Sequence, residues 1–105
     1  MAQQPNLNKM MKQLQQAQAA MAVEQEKLKT EIVEASAGGG MVNVKVTGDL
    51  QVTEITIDPQ ALDPEDIEIL QDMLLAATNE ALRSSQQLAE QRLGGIAGGL
   101  GLPGM

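Results

Sequence analysis

The stretch Met41-Val42-Asn43-Val44-Lys45-Val46-Thr47-Gly48-Asp49-Leu50-Gln51-Val52-Thr53-Glu54-Ile55-Thr56-Ile57 decides the fold. Its first half alternates strictly and puts Val42, Val44 and Val46 on one face of a strand. Gly48-Asp49 then breaks the pattern, and a glycine there supplies the positive φ that a tight hairpin turn requires. In the return strand the apolar parity slips, from Leu50 and Val52 to Ile55 and Ile57, which predicts a β-bulge near Thr53-Glu54. The flanking segments, about 6–33 and about 64–92, both carry helical spacing. At 1.5 Å per residue each helix would be about 40 Å long, whereas seven strand residues span about 23 Å. The helices overhang their sheet, and overhanging apolar stripes predict a dimer with projecting arms.

The chain of 105 residues reads as a single α+β domain over 1–93, followed by a glycine-rich flexible tail, 94–105, that holds six of the ten glycines. Without the tail and the free part of the first helix, roughly sixty residues are left to form a core, a size that is marginal alone. There is no Cys and no His, so neither disulfides nor a structural zinc can staple it, and oligomerisation is the remaining stabiliser. No apolar run is long enough for a membrane span and no signal-peptide pattern opens the chain, so a soluble cytoplasmic protein is expected. The absence of His, Cys, Trp, Tyr and Phe removes the usual nucleophile–base pairs and base-stacking platforms. A non-enzymatic protein is expected, without cofactor, metal or small-molecule substrate.

In the first helix Leu7, Met10, Met11, Leu14, Ala17, Met21, Leu28 and Ile32 fall within about 120° of one another. Leu7, Leu14, Met21 and Leu28 repeat every seven residues, but the companion positions are mixed: Met11, Gln18, Gln25 and Ile32, or Met10, Ala17, Glu24 and Glu31. That favours an amphipathic helix lying on its own hairpin and a partner over a continuous coiled coil. Gly38-Gly39-Gly40 loosens the chain before the hairpin, and a short additional strand near 33–37 would make three strands. Asp58-Pro59 stops the last strand. Asp63 is a good N-cap and Pro64 suits the first helical position. Glu65, Asp66 and Glu68 suit the positive end of the helix dipole, which explains this acidic cluster without a metal. Beyond it Ile67, Leu70, Leu74, Ala77, Ala81, Ser84 and Leu88 step by three and four. From this seam Leu70, Leu74, Ala77, Ala81 and Leu88 are expected to cover the sheet and to form the dimer interface.

The net charge of −7 opposes nucleic-acid binding, but its distribution is uneven. Residues 1–48 carry five Lys against four Glu, while residues 49–105 carry two Arg against ten acids. Up to Val23 there is no acid at all. Lys9, Lys12, Gln16 and Lys27 project within about 60° of one another, opposite the apolar stripe. A basic tip of this kind acts locally, because screening at physiological salt has a length of about 8 Å.

Three stretches in series carry a resemblance: Asn8-Lys9-Met10-Met11-Lys12-Gln13-Leu14-Gln15-Gln16-Ala17-Gln18, then Gly38 to Gly48, then Ile55-Thr56-Ile57-Asp58-Pro59 with Ala76-Ala77-Thr78-Asn79-Glu80-Ala81 beyond. In that order and spacing the chain resembles the YbaB/EbfC family of small bacterial nucleoid-associated proteins. The resemblance implies an α-β-β-β-α chain with a small antiparallel sheet between two long helices, paired into a tweezer-like homodimer. It also implies cytoplasmic, nucleoid-associated binding of double-stranded DNA with little sequence preference, affecting chromosome organisation and gene expression. Lys9 and Lys12 fall at matching family positions. Gln16, Lys27, Arg83 and Arg92 complete the candidate DNA contacts on grounds of charge and placement. The competing expectation is a protein-interaction module whose Met-rich arms, with Met10, Met11 and Met21, grip a protein partner.

Overall fold

The computed structural model describes residues 7–99. Helix α1 spans Leu7–Leu28, strands β1, β2 and β3 span Ile32–Ala37, Val42–Thr47 and Val52–Ile57, two 3-10 turns cover Pro59–Ala61 and Pro64–Asp66, and helix α2 spans Ile67–Gly99. The sheet is an antiparallel meander in the order β1-β2-β3. This is the α-β-β-β-α architecture that the resemblance implies.

The valine alternation of β2 sets the core. Val42, Val44 and Val46 are fully buried, paired with Ala37, Ala35 and Val33 on one side and with Ile57, Ile55 and Val52 on the other. Cross-strand partners share a face, so the nine residues form one apolar surface. Helix α2 lies over the β1–β2 part of it through Ala77 and Ala81, with Leu70, Met73, Leu74 and Leu82 around them. Alanine at the closest approach lets helix and sheet backbones come near, and the longer side chains seal the margins. The predicted bulge is present: the register shifts between Lys45 and Val46, leaving Thr53 without a ladder partner.

Four expectations need correction. Helix α1 stops at Leu28, five residues short of 33, and 32–37 is a full edge strand. Central strand β2 needs pairing on both edges, and Ile32-Val33 starts a strand better than it prolongs a helix. The turn residue with positive φ is Leu50 (φ 67), not Gly48. Thr47 and Gln51 close a three-residue loop, with Thr47 N donating to Gln51 O at 2.8 Å and Leu50 N to Thr47 O at 3.0 Å. In such a loop the third residue is left-handed, at a cost of about 1–2 kcal/mol for a non-glycine side chain.

The start of the second helix also differs: Asp63 caps a 3-10 turn, its carboxylate accepting from Glu65 N at 3.0 Å, and the α-helix proper begins at Ile67. Lastly, α2 continues through Gly94–Gly99, residues assigned to the tail. A helix already nucleated adds a hydrogen bond with each residue, which offsets the roughly 1 kcal/mol penalty of a glycine. Residues 100–105 lie outside the described part.

Gly48 serves a different need from the one expected. Its amide donates to Leu28 O at 2.8 Å and to Glu31 O at 3.0 Å. A Cβ at this position would stand 2.6 Å from Leu28 O. Beside it Ser85 Oγ, fully buried, donates to Thr47 O at 2.7 Å. At the other end of the sheet the β1–β2 turn passes Gly38 (φ +65) directly under Met73 Sδ. From Met73 to Ser85, α2 therefore covers the length of the sheet, about 18 Å. The remaining fourteen residues to Gly99 project about 21 Å beyond it. The extents, 79 × 24 × 15 Å, and the radius of gyration of 20.7 Å compare with about 13 Å for a compact chain of this length.

Gly48→Ala is expected to lower stability by about 2–3 kcal/mol, because the clash is with backbone rather than with a side chain free to move. Urea unfolding followed by far-ultraviolet circular dichroism reads this in a chain with no Trp or Tyr. An unchanged midpoint would refute the close approach.

Candidate nucleic-acid interface

Helix α1 returns antiparallel along the projecting part of α2, and a clamp of charged groups holds the pair. Arg92, seven residues past Ser85, donates to Glu31 Oε1 at 2.7 Å and to Glu24 Oε2 at 3.3 Å. The hydrogen bonds to Glu31 and then Glu24 raise the Arg92 pKa above its ordinary value. Ala17, the first buried residue of α1 among those described, sits seven residues before Glu24, level with Gly99 seven residues past Arg92. The first ten residues of α1 thus extend about 15 Å beyond the described end of α2. They form the tip of an arm.

The six candidate contacts fall in different places. Lys9, Lys12 and Gln16 are exposed on this tip, and among the described residues Lys9 and Lys12 have no ion pair. Lys27 lies at the same azimuth as Lys9 but about 27 Å farther down the helix, exposed and 3.8 Å from Glu24. Neighbouring Lys29 pairs with Glu26 at 3.0 Å, and that hydrogen bond raises its pKa. Arg83 is on α2 above the sheet, exposed and paired with Glu80 one turn back. Arg92 is held between two carboxylates and is about one-third exposed, so its charge is already paired within the chain. Of the six candidates only Lys9, Lys12 and Gln16 lie together.

The expected dimer seam is also redistributed. Ala77 and Ala81 are fully buried in the chain's own core, and Leu70 and Leu74 pack against it. These residues cover the sheet; the two alanines have no surface left for a partner. Leu88 is partly buried on the projecting part of α2. Apolar groups remain open elsewhere. Val52 and Ile55 share the core-side face of β3 yet are 45% and 49% exposed, because α2 crosses β1 and β2 and stops short of β3. An open cavity of about 370 Å³ lies between the end of α1, the β2–β3 turn and α2, lined by Leu28, Leu50, Gln86, Ala89 and Leu93 among others. Leu75, Leu82, Gln86, Ala89 and Leu93 recur along one flank of α2 at helical spacing.

Sequence reasoning missed the clamp. Its trace was present: Glu24 and Glu31 interrupt an otherwise apolar heptad position at a spacing of seven, and Arg92 is one of only two arginines.

The profile of the YbaB/EbfC DNA-binding family matches residues 3–100. A nucleoid-associated protein of Alkaliphilus metalliredigens is 46% identical over 101 residues, covering 96% of this chain and 89% of its own. One from Syntrophobacter fumaroxidans is 53% identical over 95 residues (90% and 86%). The crystal structure of an uncharacterized protein from Helicobacter pylori superimposes with a TM-score of 0.71 at 26% identity, covering 82% of this chain and 90% of that one.

Arg92→Gln is expected to loosen the arm without unfolding the body, because partly exposed ion pairs contribute little to global stability. Amides of 17–28 should exchange with deuterium about tenfold faster while those of β2 keep their protection. Equal acceleration in β2 would show that arm and body open together.

Proposed function

The chain belongs to the YbaB/EbfC DNA-binding family, and from that premise we propose that it is a homodimeric nucleoid-associated protein whose α1 arms hold double-stranded DNA with little preference for sequence. The observation that carries the reading is the position of Lys9 and Lys12 on an exposed tip with no acid from Leu7 to Val23. The ammonium group of lysine is a point charge suited to phosphate, and phosphate contacts position a protein without reading bases. Gln16 beside them can donate to phosphate or sugar oxygen.

The net charge of −7 does not oppose this strongly. Glu24 is fifteen residues from Lys9 along one helix, about 22 Å, nearly three screening lengths of about 8 Å at physiological salt. The tip interacts as a cation although the whole molecule is an anion. The named relatives support a place on the nucleoid, in the cytoplasm.

The partner copy would cover Val52 and Ile55 on β3 and the Leu75–Leu93 flank of α2. An open half-sheet face beside a helix flank is what an isologous pair can close, each copy completing the other's layer. A body this small gains core by doing so. Two arms then present two pairs of lysines to one duplex.

If all four lysines neutralise phosphates, the log–log dependence of affinity on salt should have a slope near −3.6. Fluorescence anisotropy with labelled duplexes measures it. Lys9→Glu with Lys12→Glu should abolish binding and leave the oligomeric state unchanged; retained binding would place the interface elsewhere. Ile55→Arg should convert the dimer to monomer by sedimentation, since about half of that side chain is open in a single copy and a partner would bury a charge there.

A further inference from the structure

The side of α1 that packs on α2 runs on toward the tip with nothing among the described residues to cover it. Four residues of α1 are not exposed, Ala17, Met21, Glu24 and Leu28, and they fall within about 60° of one another. Projected farther out, Met10 and Leu14 continue this line, about 10° and 50° from its centre, with Leu7 about 70° away. These three are 51%, 56% and 62% exposed. Lys9 and Lys12 lie about 90° and 150° from the same centre, so the charges and the apolar line occupy different sides of the helix.

The line opens where the description of α2 ends, at Gly99, level with Ala17. Leu100-Gly101-Leu102-Pro103-Gly104-Met105 follows in the sequence, with no charged or polar side chain. Pro103 disfavours helical backbone at Leu102. On an extended path, at about 3.3 Å per residue, Leu100 and Leu102 share one side of the segment. Counted outward from Gly99, Leu100 then comes level with Leu14 and Leu102 with Met10. The whole segment reaches about 20 Å, enough for the roughly 15 Å from Ala17 to Leu7.

We propose that residues 100–105 lie along the open side of α1 in the same copy, with Leu100 against Leu14 and Leu102 against Met10. The contact continues the α1–α2 packing with an apolar segment of matching length. That segment starts where the line opens, so its effective concentration there exceeds that of anything arriving from solution. Once the line is closed, the tip presents its lysine side to partners, and Met10 is not open to a protein. The added burial steadies an arm that has no buried side chain before Ala17 among the described residues. The inference does not depend on the DNA reading.

Two measurements on the full chain test it. In Leu100→Asp with Leu102→Asp, amides 11–16 should exchange with deuterium about tenfold faster, while those of β2 keep their protection and show that the body is folded. Leu100→Met with Leu102→Met should retain the slow exchange. Because the chain has no Cys, an introduced pair reports proximity directly. Met10→Cys with Leu102→Cys should form a disulfide within one copy, about tenfold faster than Asn8→Cys with Leu102→Cys, since Asn8 stands about 170° from the centre of the line. Unchanged exchange in the Asp variant, or equal rates for the two pairs, would overturn the proposal. A disulfide that joins two copies would overturn it too, and would give the line to a second copy.

Discussion

At the Thr47–Gly48 corner three elements meet through backbone groups. The Gly48 amide reaches the carbonyls of Leu28 and Glu31, and Ser85 Oγ, with no exposure, reaches the carbonyl of Thr47. The end of α1, the turn of the hairpin and the middle of α2 are locked to one point, where a hydrogen atom is the largest group that fits at Gly48. Buried carbonyls left without donors would each cost about 1–3 kcal/mol, so the corner resists rearrangement. Every distance along the arm is measured from it. The level of Arg92 against Glu24, the limit of burial at Ala17 and the free length of the tip all follow from where the two helices leave the sheet.

The cations divide by their distance from that corner. Arg92 and Lys29, close to it, are bound to carboxylates, and Lys27 shares Glu24 with Arg92. Lys9 and Lys12, farther out than any acid of α1, remain available. The planar guanidinium of Arg92 can satisfy two carboxylates at once, which suits it to a structural clamp between helices. The flexible lysines at the tip suit a partner that offers phosphates at irregular positions. All fourteen acids lie from Glu24 onward, whereas the arm tip before it carries only lysines, so the molecule is electrically uneven along its length despite its net negative charge.

Stability is uneven for the same reason. The body has a sealed core of valines and alanines, whereas Ala17 and Leu28 are the only buried residues of α1 among those described. An arm held by two buried side chains and a partly exposed clamp opens at a free energy well below that of the body. On the function proposed above, such local compliance would let each tip of a dimer find phosphates independently of the other.

Much of this was legible in the chain itself, where the information is local. The alternation of Val42, Val44 and Val46, the parity slip that becomes the Thr53 bulge, the Asp63-Pro64 cap and the acid-free first helix each follow from side-chain period or sign, which neighbours in sequence determine. What distant residues share could not be read this way. Whether Gly48 turns the chain or admits Leu28, whether Ala77 and Ala81 face a sheet or a partner, and whether Arg92 is free or clamped depend on which elements come together across thirty to seventy positions. Helical spacing identifies a seam but not its occupant, because a sheet and a second subunit ask for the same apolar residues. Charge likewise marks Lys9 and Arg92 equally; only the antiparallel packing of α1 on α2, set at the Gly48 corner, brings carboxylates to one and leaves the other exposed at the tip.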